Sequence, residues 1–211
     1  MDKYLIDLIE RMSDTSDQTK EKGYESSQTI SWKALREAEK INNIDFISDL
    51  IIFIDKEKNK IKRGHAYFVL GHIAKNTNNE IALNYLIQRV EKETDKYIIS
   101  TLLDMIANIK KPIGTDLQPL IKMTKNEKWL IRHTAIRSLN YSLDILAENI
   151  LIEIIEKSED VFDIVYSNAT LNKIGTLSAI PYLEKHLKSK KRDIKHSAKY
   201  AIEEIKKRHQ N

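Results

Sequence analysis

The stretch Lys62-Arg63-Gly64-His65-Ala66-Tyr67-Phe68-Val69-Leu70-Gly71-His72-Ile73 decides how this chain folds. Ala66, Val69, Leu70 and Ile73 recur at three- and four-residue steps, so one face of a helix is small or apolar along its length. The same template returns at Leu102, Ile106 and Ile109, at Ala135 and Leu139, at Thr170, Ile174 and Leu177, and at Ala198, Ile202 and Ile205. With Leu70, Ile106, Leu139, Ile174 and Ile202 as markers, the steps are 36, 33, 35 and 28 residues, and Ala38 takes the same role 32 residues before Leu70. Each step leaves room for two helices and two short turns, which is the period of a helical solenoid.

A second apolar run follows each marker helix. Ile47, Leu50 and Ile54 form one; Leu83, Leu86 and Val90 the next; then Leu117 with Leu120, Leu151 with Ile154, and Ile180, Leu183 and Leu187. Polar clusters such as Asp55-Lys56-Glu57-Lys58-Asn59-Lys60 and Lys125-Asn126-Glu127-Lys128 separate the runs as inter-helix loops. The pattern predicts an all-α fold of about five helix pairs. Residues 29–208 form its single repeat domain. In residues 1–28, Leu5, Ile6, Leu8 and Ile9 make a short helix able to cap the core, and 13–28 read as a polar loop, a linker or a functional flap.

Composition narrows the chemistry. The 211 residues are 41% hydrophobic and 31% charged, which suits a folded chain with a strongly solvated surface. Gly and Pro are too few for a barrel or sandwich of tight turns, and Cys is absent, which removes disulfides, thiolate metal sites and thiol nucleophiles. No purely apolar run exceeds five residues, as in Leu50-Ile51-Ile52-Phe53-Ile54, so no membrane span is expected. Met1-Asp2-Lys3-Tyr4 does not read as a secretory leader, and a cytoplasmic location is the expectation.

Lys62 to Ile73 and Ile131-Arg132-His133-Thr134-Ala135-Ile136-Arg137-Ser138-Leu139 resemble the first helix of HEAT-like repeats. The run Ile174 to Leu183, with Pro181, is similar to the turn and second helix of that repeat. The resemblance spans about residues 29–208 and implies a right-handed α-α superhelix with terminal caps. It is nearly silent on function, because this repeat serves scaffolds, adaptors and a few enzymes. A narrower segment, Trp129-Leu130-Ile131-Arg132 with Ala135-Ile136, resembles HEAT-like alkylpurine DNA glycosylases. The Trp-rich stretch of that family has no counterpart at Asp95-Lys96-Tyr97-Ile98-Ile99-Ser100, so the resemblance carries over Arg132 alone, as a phosphate contact.

Arg63, Arg132 and Lys195 each stand three residues before the small core position of their helix. They read either as an inter-repeat ladder bonding Asp side chains or loop carbonyls, or as a row of anion-binding cations. Of six histidines, His65 and His72 lie two helical turns apart, about 10 Å, too far to share one ion. No His-Glu-x-x-His, glycine-rich phosphate loop or Gly-x-Ser-x-Gly is present. The expectation is therefore a non-enzymatic chain with no cofactor, offering a surface to a protein partner.

The second helices carry the candidates for that surface, the concave face implied by the resemblance: Phe53, Tyr85, Arg89 and Met123, then Lys157, Tyr182 and His186. Aromatic, Met and Arg side chains in a row suit a protein-binding site, and packing between repeats is the alternative for Phe53 and Met123. Residues 181–211 hold ten Lys/Arg against four Asp/Glu. Lys188, Lys190, Lys191, Arg192 and Lys195 there read either as a nucleic-acid contact or as the solvated cap of the last repeat.

Overall fold

The computed structural model describes residues 1–17 and 25–210, so the stretch 18–24 of the expected polar loop lies outside the described residues. The chain is 70% helical, with no strand among the described residues. The helices are α1 (Lys3–Met12), α2 (Ile30–Ala38), α3 (Phe46–Lys56), α4 (Lys60–Thr77), α5 (Glu80–Val90) and α6 (Lys96–Ile106). They continue as α7 (Gln118–Met123), α8 (Trp129–Ser138), α9 (Ile145–Lys157), α10 (Val161–Ile174), α11 (Ile180–His186) and α12 (Arg192–Arg208). The marker helices are α2, α4, α6, α8, α10 and α12, and each apolar run that follows a marker falls on α3, α5, α7, α9 or α11. Two compact units divide the chain, Met1–Leu86 and Ile87–Asn211, with the division inside α5.

In the first unit, local capping chemistry sets the helix starts. Asp2, Thr29 and Asn59 each accept a hydrogen bond from a first-turn N–H of α1, α2 and α4, worth about 0.5–2 kcal/mol apiece. The amphipathic α1 buries Leu5, Leu8, Ile9 and Met12 and packs on α2 and α4. Arg11 reinforces this contact with a forked pair to Glu37 at 2.8 and 3.2 Å. In α4 the periodic residues Ala66, Val69, Leu70 and Ile73 have no exposed surface. The helix closes on Asn78, at φ 51° in the left-handed region, which Asn tolerates better than most residues. Two residues earlier the Asn76 amide donates to the carbonyls of Glu39 and Ile41 and ties α4 to the chain leaving α2.

In the second unit α6 stops at Ile106, one turn before the end its apolar template predicts. Ile109 is buried all the same, outside the helix. Lys111, just beyond, has no exposed surface either. Its ammonium donates to the carbonyls of Ile106, Ile109 and Asn140 at 2.8, 2.7 and 2.7 Å. These bonds satisfy carbonyls freed at the end of α6 and after α8. The Lys111 N–H donates to the Tyr141 carbonyl, and the Leu143 N–H donates to the Lys111 carbonyl, which makes one isolated parallel bridge. Tyr141 is held at φ 58° in this turn, a conformation uncommon for a bulky residue. Helices α6, α8, α10 and α12 pack in succession, with α7, α9 and α11 beside them.

Candidate functional site

The densest polar cluster lies where the first turn of α8 meets the start of α10. Arg132 Nε donates to Asp163 at 2.7 and 2.9 Å, and Nη2 donates to Asp160 Oδ2 at 2.8 Å. Nη1 donates to the carbonyls of Asn126 and Glu127. Asp160 also caps α10 by accepting from the N–H groups of Phe162 and Asp163. Burial raises the Asp160 pKa, but those N–H groups and Arg132 outweigh it and hold the carboxyl below its usual range. Asp163 is buried and also accepts from the Ser158 hydroxyl at 3.0 Å. Arg132 therefore acts as the inter-repeat connector of the ladder reading, with Asp side chains and loop carbonyls as its partners. Arg63, at the same place in α4, donates to the carbonyls of Glu57 and Lys58. Lys195 on α12 is exposed.

His133 adjoins this network, with Nε2 3.1 Å from Asp163 Oδ1. His133, Asp160 and Asp163 bring potential metal-ligand atoms within 4.8 Å of one another. The Arg132 guanidinium already lies against both carboxylates and supplies the positive charge a metal would bring, so the cluster reads as a structural hub. Around the His133 ring stand Trp129, Phe162 and Tyr166, with centroids at 5.8, 6.0 and 5.0 Å.

A cleft of ≈ 260 Å³ opens on the other side of Arg132 and Asp163. The half-buried Ile150 and Ile154 line it together with Lys125, Glu153, Lys157 and Ser158. Ile150, Glu153, Ile154 and Lys157 follow i, i+3, i+4 and i+7 on α9, one face of the helix. Lys157 pairs with Glu153 at 3.1 Å, and Lys157 together with Lys125 depresses the Glu153 carboxyl.

Of the expected partner-binding residues, only Lys157 borders this cleft. Phe53 on α3 is half-buried beside Asp49, Ile52 and Lys56 in a cleft of ≈ 490 Å³. Tyr85 on α5 is tied to α3, its hydroxyl donating to Asp55 Oδ1 at 2.9 Å. Arg89 pairs with the buried Glu93 at 3.4 Å. Met123 and Tyr182 are half-buried, and the Lys185 ammonium lies over the Tyr182 ring at 4.9 Å. His186 is half-buried, and burial pushes its imidazole below the ordinary value. Lys188, Lys190, Lys191 and Arg192 are exposed on the turn into α12.

Sequence reasoning missed Lys111, because nothing in its neighbours distinguishes it from the many surface lysines. It also missed the place of Ile150 in the α9 cleft and the aromatic ring around His133. The i, i+4 spacing of Trp129 with His133 and of Phe162 with Tyr166 was the available signal for the latter.

No protein-family model matches this sequence, and no curated protein matches it. Solved structures do. A designed armadillo repeat protein superposes with a TM-score of 0.51 at 17% identity, covering 95% of this chain and 99% of the other. Another, in complex with the peptide (KR)4, gives 0.54 at 17% identity, with 95% and 99% covered. An engineered protein gives 0.56 at 15% identity over 98% of both chains. The likeness shows an all-α helical repeat fold.

Proposed function

We propose that this chain is a non-catalytic, cytoplasmic protein-interaction module of HEAT-like type, which binds a segment of a partner protein along its second helices. One observation carries the reading: Ile150, Glu153, Ile154 and Lys157, one stripe of α9, line a cleft in which apolar and charged side chains stand together. Apolar anchors inside a polar rim are the usual anatomy of a protein interface. The pairing of Lys157 with Glu153 lies in solvent, where exposed ion pairs add little, so a partner can exchange into it. That a designed repeat protein of similar fold is found with a peptide supports this class of partner.

The test is a photoreactive residue placed at Ile154 in the full chain, with one at Lys206 as the control. Adducts to a protein from position 154 that are absent from 206, and lost on Ile150→Glu, are the expected result. Adducts to nucleic acid, or equal labelling from both positions, would overturn the reading.

A further inference from the structure

The most exposed aromatic side chains of the second unit fall one to a helix on α6, α8, α10 and α12. Tyr97, Trp129, Phe162 and Tyr200 are 63, 64, 58 and 67% exposed. These are all first helices of their repeats, and none of the four rings lines the α9 cleft. Tyr97, Trp129 and Phe162 stand in the first turns of their helices, while the residues one turn on, Thr101, His133 and Tyr166, are half-buried or buried; Tyr200 lies two turns into α12, above the exposed His196 and Arg192. Side-chain contacts join these helices. The His133 ring links Trp129 on α8 to Phe162 and Tyr166 on α10. Arg137 on α8 pairs with Asp104 on α6 at 3.1 Å, and the Asn172 amide of α10 donates to the Tyr200 carbonyl of α12.

Large aromatics left this exposed on successive helices mark an interaction surface, where Trp and Tyr are enriched among the residues that dominate binding. Charge identifies what fits. Of the carboxylates here, Asp104 and Glu203 lie against Arg137 and Lys199. Exposed Lys96 and Lys128 flank Tyr97 and Trp129, exposed Glu127 and Glu159 stand just before Trp129 and Phe162, and the α12 end carries Lys190, Lys191, Arg192 and Lys195 against Asp193 alone. Asp95 and Asp160 cap α6 and α10 at the aromatic end. A phosphate track there would run past carboxylates, whereas separate carboxylates on a peptide can settle at the cationic end while apolar side chains cover the rings.

We propose that this first-helix face, from Tyr97 to Tyr200, docks an acidic segment of a partner protein that carries apolar side chains. It is independent of the α9 cleft and stands if that reading fails. The probe is a phage-displayed library of random peptides, panned on the full chain near physiological salt. Retained peptides rich in Asp and Glu beside Leu, Phe or Trp are expected. They should bind at least about 30-fold more weakly to a Trp129→Ala, Phe162→Ala variant, the loss typical of hot-spot truncation. Lys191→Glu with Arg192→Glu should weaken the same peptides and flatten their salt dependence. All these side chains are exposed, and an unchanged melting temperature verifies folding; Tyr200→Ala alone gives a second readout if the double variant melts. Neutral or basic peptides, or peptides indifferent to these substitutions, would overturn the proposal. So would tight quenching of tryptophan fluorescence by single-stranded oligothymidylate, or self-association that the Trp129→Ala, Phe162→Ala variant abolishes.

Discussion

Arg132 Nε lies 2.7 Å from Asp163 Oδ1, joining the first turns of two consecutive marker helices across 31 residues of sequence. Two carboxylates, two loop carbonyls and one guanidinium close a network in which every Arg132 nitrogen donates. Removing the guanidinium would leave a buried carboxylate without its counter-charge. Arg132→Ala should therefore cost about 3 kcal/mol in denaturant unfolding. Arg132→Lys should recover only part of it, because an ammonium has no planar fork. Asp160 is held below its usual pKa, so its contribution is present at neutral pH and is lost as pH falls below about 4, through the folded value. Arg132→Ala should make the acid limb of the stability profile shallower, and a parallel limb in the two proteins would refute the assignment.

Lys111 gives the opposite pH signature. Burial pushes its ammonium down to about 7, against an ordinary value of about 10.4. Between those values the unfolded chain binds the proton more tightly than the folded one, so this group makes stability rise with pH from about 7 toward 10. A Lys111→Met variant should lack that rise. It should also be less stable near neutral pH, because three carbonyls lose their donor, each at a cost of about 1–3 kcal/mol before relaxation. Urea titrations at several pH values measure both effects. Identical slopes would show that Lys111 does not titrate in this window.

Leu70 has no exposed surface and lies on the apolar face of α4. Leu70→Ala should lower unfolding free energy by about 2–5 kcal/mol through the cavity it opens. A loss under about 0.5 kcal/mol, typical of surface positions, would contradict its place in the core.

Gly175 ends α10 where α12 crosses it. A Cβ there would stand 2.7 Å from the Leu171 carbonyl oxygen and 2.9 Å from the Ile205 Cδ1. The backbone contact cannot yield as a flexible side chain would, so Gly175→Ala should destabilise by about 1–3 kcal/mol. A neutral or stabilising effect in thermal unfolding would mean that α10 and α12 sit further apart.

The sequence by itself determined which segments become helices and how they alternate. Apolar periodicity and capping residues act within a few positions of each other, and Asp95, Asp144 and Asp160 mark helix starts through bonds to their own first turns. It also marked Arg132 as special, since its offset from Ala135 repeats in Arg63 with Ala66. What Arg132 bonds was beyond its reach. Asp163, Lys111 with Asn140, and Tyr85 with Asp55 meet across about 30 residues, and only the docking of successive helices decides which of the many charged residues meet. The same holds for exposure. The sequence reading assigned Tyr85 and Arg89 to a binding row, but packing ties Tyr85 to Asp55 and pairs Arg89 with Glu93, leaves Trp129 and Phe162 toward solvent, and sets Ile154 half-buried in a cleft. A helix face is fixed by local spacing, whereas what covers that face depends on neighbours a whole repeat away.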